Sequence, residues 1–283
     1  MTAMPTISCI IPTRDRKEMT VQAVRSVLAQ EMADPLEIIV VDDGSRDGTD
    51  QEIRALFPEV TLVTTGGLGP GPARNAGVEA AGGEVVMFLD SDDLWHQDHA
   101  DILSKALDRA EAAFCITQNI DMATGTLFEV PDHELCRQIE EGRALELLFK
   151  WCYIMPSSFA IRKETFLEAG GFPDHGRGLS LGEDWLFFIA LASRSPIELV
   201  PKIATTRRLH AGSLCSTRCS PDALKGLVGR IVELARGLSE EEAALRQGLL
   251  SWLDDHMALI TKEAGKWQGV QDWFCALKEK RLL

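Results

Sequence analysis

Short apolar runs alternate with stretches of helical spacing through the first ninety residues, and this alternation limits the fold more than any other feature. "TISCII" (6–11), "LEIIVV" (36–41), "VTLVT" (60–64) and "EVVMFL" (84–89) are largely apolar and rich in β-branched residues. Runs of this kind, without polar alternation, belong to strands buried on both faces. The first is expected to stop at Pro12. After it, Met19, Ala23, Val24, Val27 and Leu28 mark one face of a helix opening near Asp15. "DQEIRALF" (50–57) reads as a short helix, and "PARNAGVEAA" (72–81) as another with Pro72 at its first position. Strands separated by helices in this way predict an α/β fold, a mainly parallel Rossmann-like sheet flanked by helices. Ligands of such sheets gather at the strands' carboxyl ends. "PTRD", "DDGSRDG" and "DSDD" all fall there, so they are expected to converge in space.

The remainder is less regular. Helical stretches are predicted over 98–112 and 138–151, a strand over 157–162, a buried helix within 180–192 and an extended segment over 197–210. Beyond Ser220 the character changes. Ser239 and Glu242 form an S-x-x-E capping box opening a helix to Ala264, and a further helix runs from Trp267 to Lys280. The chain is therefore expected to divide into an α/β domain (1–220) and a helical C-terminal region (221–283). That region's Trp252, Trp267, Trp273 and Phe274 are expected to pack on the first domain or in a homodimer, or to complete an acceptor surface.

Charge narrows the function. The net charge is −14 and the pI about 4.9, which argues against general nucleic-acid binding. An anionic ligand would need a metal or a local basic cluster. The N-terminus has no basic leader, and no apolar run approaches the ~20 residues that span a bilayer. Of seven cysteines, only Cys215 and Cys219 lie close together, without a second pair at zinc spacing, and they read as free thiols. A cytoplasmic location is expected, with a peripheral place at the inner face of the membrane also compatible.

Several motifs carry chemistry. In "DSDD", Asp90, Asp92 and Asp93 leave a buried strand within four positions. Such crowding is costly unless a cation is shared, and carboxylates at i and i+2 can face one Mg²⁺ or Mn²⁺ ion. The bland alternative is a solvated acidic turn before a helix. "DDGSRDGTD" (42–50) imitates a calcium loop, but its twelfth position is Arg54 and it follows a strand, so calcium is rejected. "GGLGPGPARNAG" (66–77) fails as a dinucleotide fingerprint, because Arg74 stands where the third Gly belongs. Arg74 at a helix start still suits an anion. Glu183 and Asp184 open an apolar helix. Ser180 with Glu183 reads as a capping box, and the functional alternative makes Asp184 a general base. His210 follows the last extended run and reads as structural unless a metal is present.

Taken in order, "SCIIPTRDR", "IIVVDDGSRDGT", "GPGPARNAGVEAAGGEVVMFLDSDDLW", "GGFPDHGRGLSLGEDWLFFIALA" and "RLHAGS" resemble glycosyltransferase family 2, inverting enzymes of the GT-A fold. The resemblance covers about residues 6 to 215. It implies transfer of a sugar from a nucleotide-diphosphate sugar, a UDP-sugar in the first instance, to an acceptor nucleophile. It also implies a site. Pro12, Thr13, Arg14, Asp15, Asp42, Asp43, Arg74, Asp90 and Ser91 would hold the nucleotide-sugar. Asp90 and Asp92, with His210 as a further ligand or phosphate contact, would hold Mn²⁺ or Mg²⁺. Asp184 would deprotonate the acceptor. Acceptors implied are a glycan, a lipid-linked sugar, or a peptide or protein. Two rivals stand beside this reading: a nucleotidyltransferase that makes nucleotide sugars, and a non-catalytic binding protein on the same fold.

Overall fold

The computed structural model describes residues 7–32, 36–149, 151–174 and 182–213, and further on 229, 231, 243, 246–248 and 251. The described strands are β1 (Ile7–Thr13), β2 (Glu37–Asp42), β3 (Thr61–Thr64), β4 (Val85–Phe88), β5 (Leu94–Trp95), β6 (Ala112–Asp121), β7 (Leu127–Val130), β8 (Phe159–Arg162) and β9 (Ile197–Leu209). The helices are α1 (Lys17–Leu28), α2 (Thr49–Leu56), α3 (Pro70–Ala80), α4 (His99–Ala106), α5 (His133–Gln138), α6 (Ala144–Leu148), α7 (Lys163–Glu168) and α8 (Glu183–Ala192).

All nine strands join one sheet in the order β3-β2-β1-β4-β8-β6-β9-β5, with β7 beside β6. β3, β2, β1 and β4 are parallel. β8 runs against both β4 and β6, and β9 runs parallel to β6. β1, β2, β4, β6 and β9 therefore all point their carboxyl ends to one edge. The amino end of the reversed strand β8 lies at that edge too.

The apolar runs split by parity, as a pleated strand requires. Ile10, Ile39, Val41, Val86, Phe88 and Phe114 face one layer with α3, α7 and α8. Cys9, Ile11, Ile38, Val40, Met87 and Cys115 face the other, with α1, α2 and α4. The sheet is thus covered on both sides. Gly77 lets α3 settle close, since a Cβ there would stand 2.3 Å from Ile10 Cγ2.

Several sequence expectations need correction. β1 does not stop at Pro12 but runs to Thr13. The Ile10 carbonyl points toward β4 and accepts from Leu89 N–H, so Pro12 faces the same side. There β4 has already ended at Phe88, and the missing N–H breaks no ladder bond. α3 starts at Pro70, not Pro72. The helix predicted over 98–112 ends at Ala106, and Ala112 opens β6, which was not predicted. Over 138–151 a π-helical turn (Ile139–Arg143) broken at Gly142 precedes the short α6. The segment over 157–162 begins as a 3-10 turn (Pro156–Ser158) before β8. α8 opens at Glu183 with Gly182 as its N-cap, so Glu183 is not the third residue of a box; Ser180 lies outside the described residues.

β9 slips register against β6 between Cys115 and Thr117, near Pro201. Such a bulge bends a strand and re-aims its end. The outer half of β9 then pairs with β5, which puts Arg207 and Arg208 beside the acidic turn. The predicted C-terminal helices lie mostly outside the described residues, with Cys215, Cys219, the Ser239 box and the four aromatic residues. Those described are helical, and Ile231 is buried in the same core layer as Ile10 and Phe88.

Candidate active site

The three loops predicted to meet do meet. Asp15 N–H donates to Ser45 Oγ at 3.0 Å, and Arg46 N–H donates back to Asp15 Oδ1 at 2.6 Å. Lys17 N–H donates to Asp47 Oδ2 at 3.0 Å. The loop after β1 is thereby locked to the loop after β2, and Asp15 holds a left-handed backbone, φ 51°.

Asp42 and Asp43 are both buried at the end of β2. Asp42 Oδ1 accepts from Ser45 N–H at 2.9 Å, which closes the turn. Asp43 organises the next loop. Its Oδ1 accepts from Thr65 Oγ1 (2.5 Å), Gly67 N–H (2.9 Å) and Leu68 N–H (2.8 Å), and its Oδ2 from Gly69 N–H (2.8 Å). Successive N–H groups can wrap one carboxylate only on a curled backbone, which the positive φ of Gly67 and Gly69 allows.

The three acids of "DSDD" part company. Asp93 turns inward, 3% exposed. Its Oδ2 accepts from Ser157 Oγ at 2.6 Å and its Oδ1 from Arg208 N–H at 3.2 Å. Burial, with the charges of Asp90 and Asp92 added, pushes its pKa up to about 8. Asp90 is partly exposed and Asp92 is buried, and each has its own partners. Asp92 Oδ2 lies 2.7 Å from Arg16 Nη1 and 3.2 Å from His210 Nε2. Arg208 Nε donates to the Asp92 carbonyl. Trp95 fixes the far end of the turn, donating Nε1–H to Ser157 O at 2.8 Å and stacking on His99 at 4.1 Å.

Arg74 ties this turn to α8. It is 4% exposed, with Nη2 at 2.5 Å from Asp90 Oδ1, Nη1 at 3.4 Å from Glu183 Oε1, and its guanidinium over the Phe172 ring. Burial opposes its charge, but Asp90 and Glu183 outweigh burial and raise its pKa. Burial and Asp184 lift Glu183 to about 7, against the pull of Arg74. Burial also raises Asp184, with Arg74 opposing. Asp184 Oδ1 accepts from Trp185 N–H at 2.7 Å, in the first turn of α8.

A cleft of about 500 Å³ lies over the carboxyl edge. Pro12, Thr13, Arg14, Asp15, Asp43, Arg74, Asp90, Ser91 and Asp92 line it, whereas Asp42, Asp184 and His210 are not among its lining residues. The cleft also carries Arg16, Arg207 and Arg208, which the sequence reading did not single out. Their signal was available: two arginines at the carboxyl end of an extended run just before His210, and one inside "PTRDR". Ser157, which anchors Asp93, left no sequence signal, and Glu183, read as a helix cap, proves to pair with Arg74. A chain with net charge −14 thus gathers five arginines around one cleft. Asp15, Asp43, Asp90, Asp92 and Asp93 share that lining, so the arginines are set among carboxylates rather than in a purely basic patch.

Among the described residues no group of three His, Cys, Asp or Glu converges as a metal site. Two donors do converge. Adjacent ligands of an octahedral ion with ~2.1 Å bonds lie about 3 Å apart. Asp92 Oδ2 and His210 Nε2, 3.2 Å apart, fit that spacing. Substrate phosphates and water commonly supply the other positions of such ions.

The family model for glycosyl transferase family 2 matches residues 8–169, from β1 through α7. The chain belongs to that family. Succinoglycan biosynthesis protein ExoO of Rhizobium meliloti is 27% identical over 270 residues, covering 90% of this chain and 72% of that protein. An uncharacterized glycosyltransferase of Rickettsia conorii is 28% identical over 211 residues, covering 73% of this chain but 33% of its own length. The chain therefore spans about a third of some of the family-2 relatives it matches. The crystal structure of S. aureus TarS residues 1–349 with UDP-GlcNAc superposes with TM-score 0.68 at 21% identity, over 89% of this chain and 73% of that one. The likeness supports the GT-A fold that the sequence resemblance implied, a mainly parallel sheet flanked by helices. Among the described residues, no helix is long and apolar enough to cross a membrane.

Proposed function

We propose that this chain transfers a sugar from a nucleotide-diphosphate sugar to an acceptor hydroxyl, with inversion and with a divalent metal. One observation carries the reading: the carboxylates of Asp90 and Asp92 line a cleft that arginines also line, and buried Arg74 links Asp90 to the helix that bears Asp184. Asp43 shapes the loop of residues 65–69 along the nucleotide's side of the cleft, and Arg14 and Asp15 border the same side. Arg207 and Arg208 offer positive charge to the leaving diphosphate. Asp92 and His210 would hold Mn²⁺ or Mg²⁺, which when bound supplies Lewis-acid stabilisation of the departing phosphate oxygen. Asp184 takes the acceptor's proton as the new bond forms. Its raised pKa favours that role, since a base works best when its pKa nears the working pH. Glu183 holds Arg74, and Arg74 keeps Asp90 in place. ExoO's name places that protein in polysaccharide assembly, and it favours a glycan acceptor, free or lipid-linked, over a peptide here. Dimerisation through the C-terminal region remains part of the same proposal.

The test is turnover of UDP- and GDP-sugars by the full chain with Mn²⁺, following the phosphate product. Release of a nucleoside diphosphate is the expected result. Release of pyrophosphate from a nucleoside triphosphate and a sugar phosphate would assign a nucleotidyltransferase. Full turnover in excess chelator by metal-stripped protein would remove the metal from the mechanism.

A further inference from the structure

The guanidinium of Arg16 stands where the metal reading needs a cation. Nη1 is 2.7 Å from Asp92 Oδ2, the same oxygen that His210 Nε2 approaches at 3.2 Å. Nη2 donates to the carbonyl oxygen of Gly212 at 2.9 Å. Arg16 therefore straps the turn after β4 to the loop after β9, across the mouth of the cleft. Its backbone is fixed independently. The Arg16 carbonyl accepts from Thr20 N–H (2.9 Å) and Thr20 Oγ1 (2.8 Å) at the start of α1. The side chain can swing while the backbone stays.

A guanidinium and a divalent ion repel one another when both sit on one carboxylate oxygen, because the two positive charges lie within a few ångströms. Metal bound by Asp92 and His210 therefore favours the departure of Arg16. A metal arriving alone gives the displaced guanidinium no anion to receive it. A metal arriving with a diphosphate brings oxygens that a guanidinium binds through two parallel hydrogen bonds. Arg16 lines the cleft where such oxygens would lie.

We propose that Arg16 is an exchangeable internal counter-ion. It neutralises Asp92 in the ligand-free protein and passes to the donor's diphosphate when the metal takes Asp92. This inference rests on the metal-assisted reading above and adds a consequence. Metal and nucleoside diphosphate bind with positive coupling, and each tightens the other by the same factor.

The experiment counts free Mn²⁺ by electron paramagnetic resonance, with the full chain, with and without saturating UDP or GDP. In the wild type, Mn²⁺ alone binds weakly, and the nucleotide tightens it by about tenfold or more, within the usual range of coupling. Arg16→Met tightens Mn²⁺ binding in the absence of nucleotide by about tenfold and shrinks the nucleotide's effect by a like factor. Arg14→Met removes the same charge from the same cleft without a contact to Asp92, and leaves Mn²⁺ binding in the absence of nucleotide nearly unchanged. Asp92→Asn abolishes it. Unchanged or weaker Mn²⁺ binding in Arg16→Met overturns the inference, as does an equal gain in Arg14→Met. Those outcomes leave the metal site standing so long as Asp92→Asn loses the ion. No Mn²⁺ binding by the wild type with either nucleotide would instead overturn the metal reading, and the exchange with it.

Discussion

The hydroxyl of Ser157 donates to Asp93 at 2.6 Å and accepts from the backbone N–H of Asp90 at 3.1 Å. One fully buried side chain thus pins both ends of the acidic turn, and its carbonyl also receives Trp95 Nε1–H. This anchor fixes the backbone of the turn that carries Asp90 and Asp92 to the cleft.

Ser157→Ala leaves the Asp93 carboxyl and the Asp90 N–H without that partner. Loss of a buried hydrogen-bond partner costs about 1–3 kcal/mol. Equilibrium urea unfolding should show a fall of that size. A change within error would mean that another donor replaces the hydroxyl.

Asp184→Asn should keep nucleotide binding and lose transfer to the true acceptor by ~10²-fold or more, the usual scale for general base catalysis. Steady-state kinetics beside a binding isotherm separates the two effects. Wild-type kcat in this variant would leave Asp184 with only its hydrogen bond to the Trp185 N–H.

His99 gives the scaffold a dependence on pH. It is buried against Trp95, with Nδ1 near Thr205 Oγ1 and Ala204 O, and burial pushes its pKa from 6.5 down to about 3. Below pH 6.5 the unfolded chain takes up a proton at this site that the folded chain refuses until about pH 3. Stability present above 6.5 is therefore lost progressively as pH falls through that window. His99→Gln should be less stable at pH 7 but show a shallower decline on acidification. Parallel declines in the two proteins would rule out His99 as a source.

Gly77→Ala should destabilise the fold by about 1–3 kcal/mol, the usual cost of overpacking. The added methyl meets Ile10 Cγ2 at 2.3 Å and Val41 Cγ2 at 3.1 Å, both on strands of the central sheet. Thermal unfolding measures it. An unchanged Tm would show that α3 can lift off the sheet at little cost.

Much of the scaffold was legible because its signals are local. A doubly buried strand must be largely apolar, so β1, β2 and β4 declare themselves in short runs, and the half-exposed edge strand β3 shows as a fourth. The acids and Arg74 were visible for the same reason: charge at the end of a buried strand, or at a helix start, is conspicuous in sequence. β6 was not visible. "AAFCITQNID" opens with alanines and follows a helix, so its local preferences permit either structure. Pairing with β8 and β9 makes it a strand, and those partners lie tens of residues away.

The sequence by itself determined the layered α/β scaffold, the edge at which function gathers and the residues that bring charge to it. Only the tertiary structure decided how those charges divide. Asp93 goes inward to Ser157, Asp90 to Arg74, and Asp92 to Arg16 and His210. Asp43 binds a loop of backbone amides. Spacing along the chain says nothing about these partners, because each pair joins segments fixed by different strands of the sheet. A carboxylate's partner follows from the distance and burial that folding imposes, and those are properties of the assembled edge.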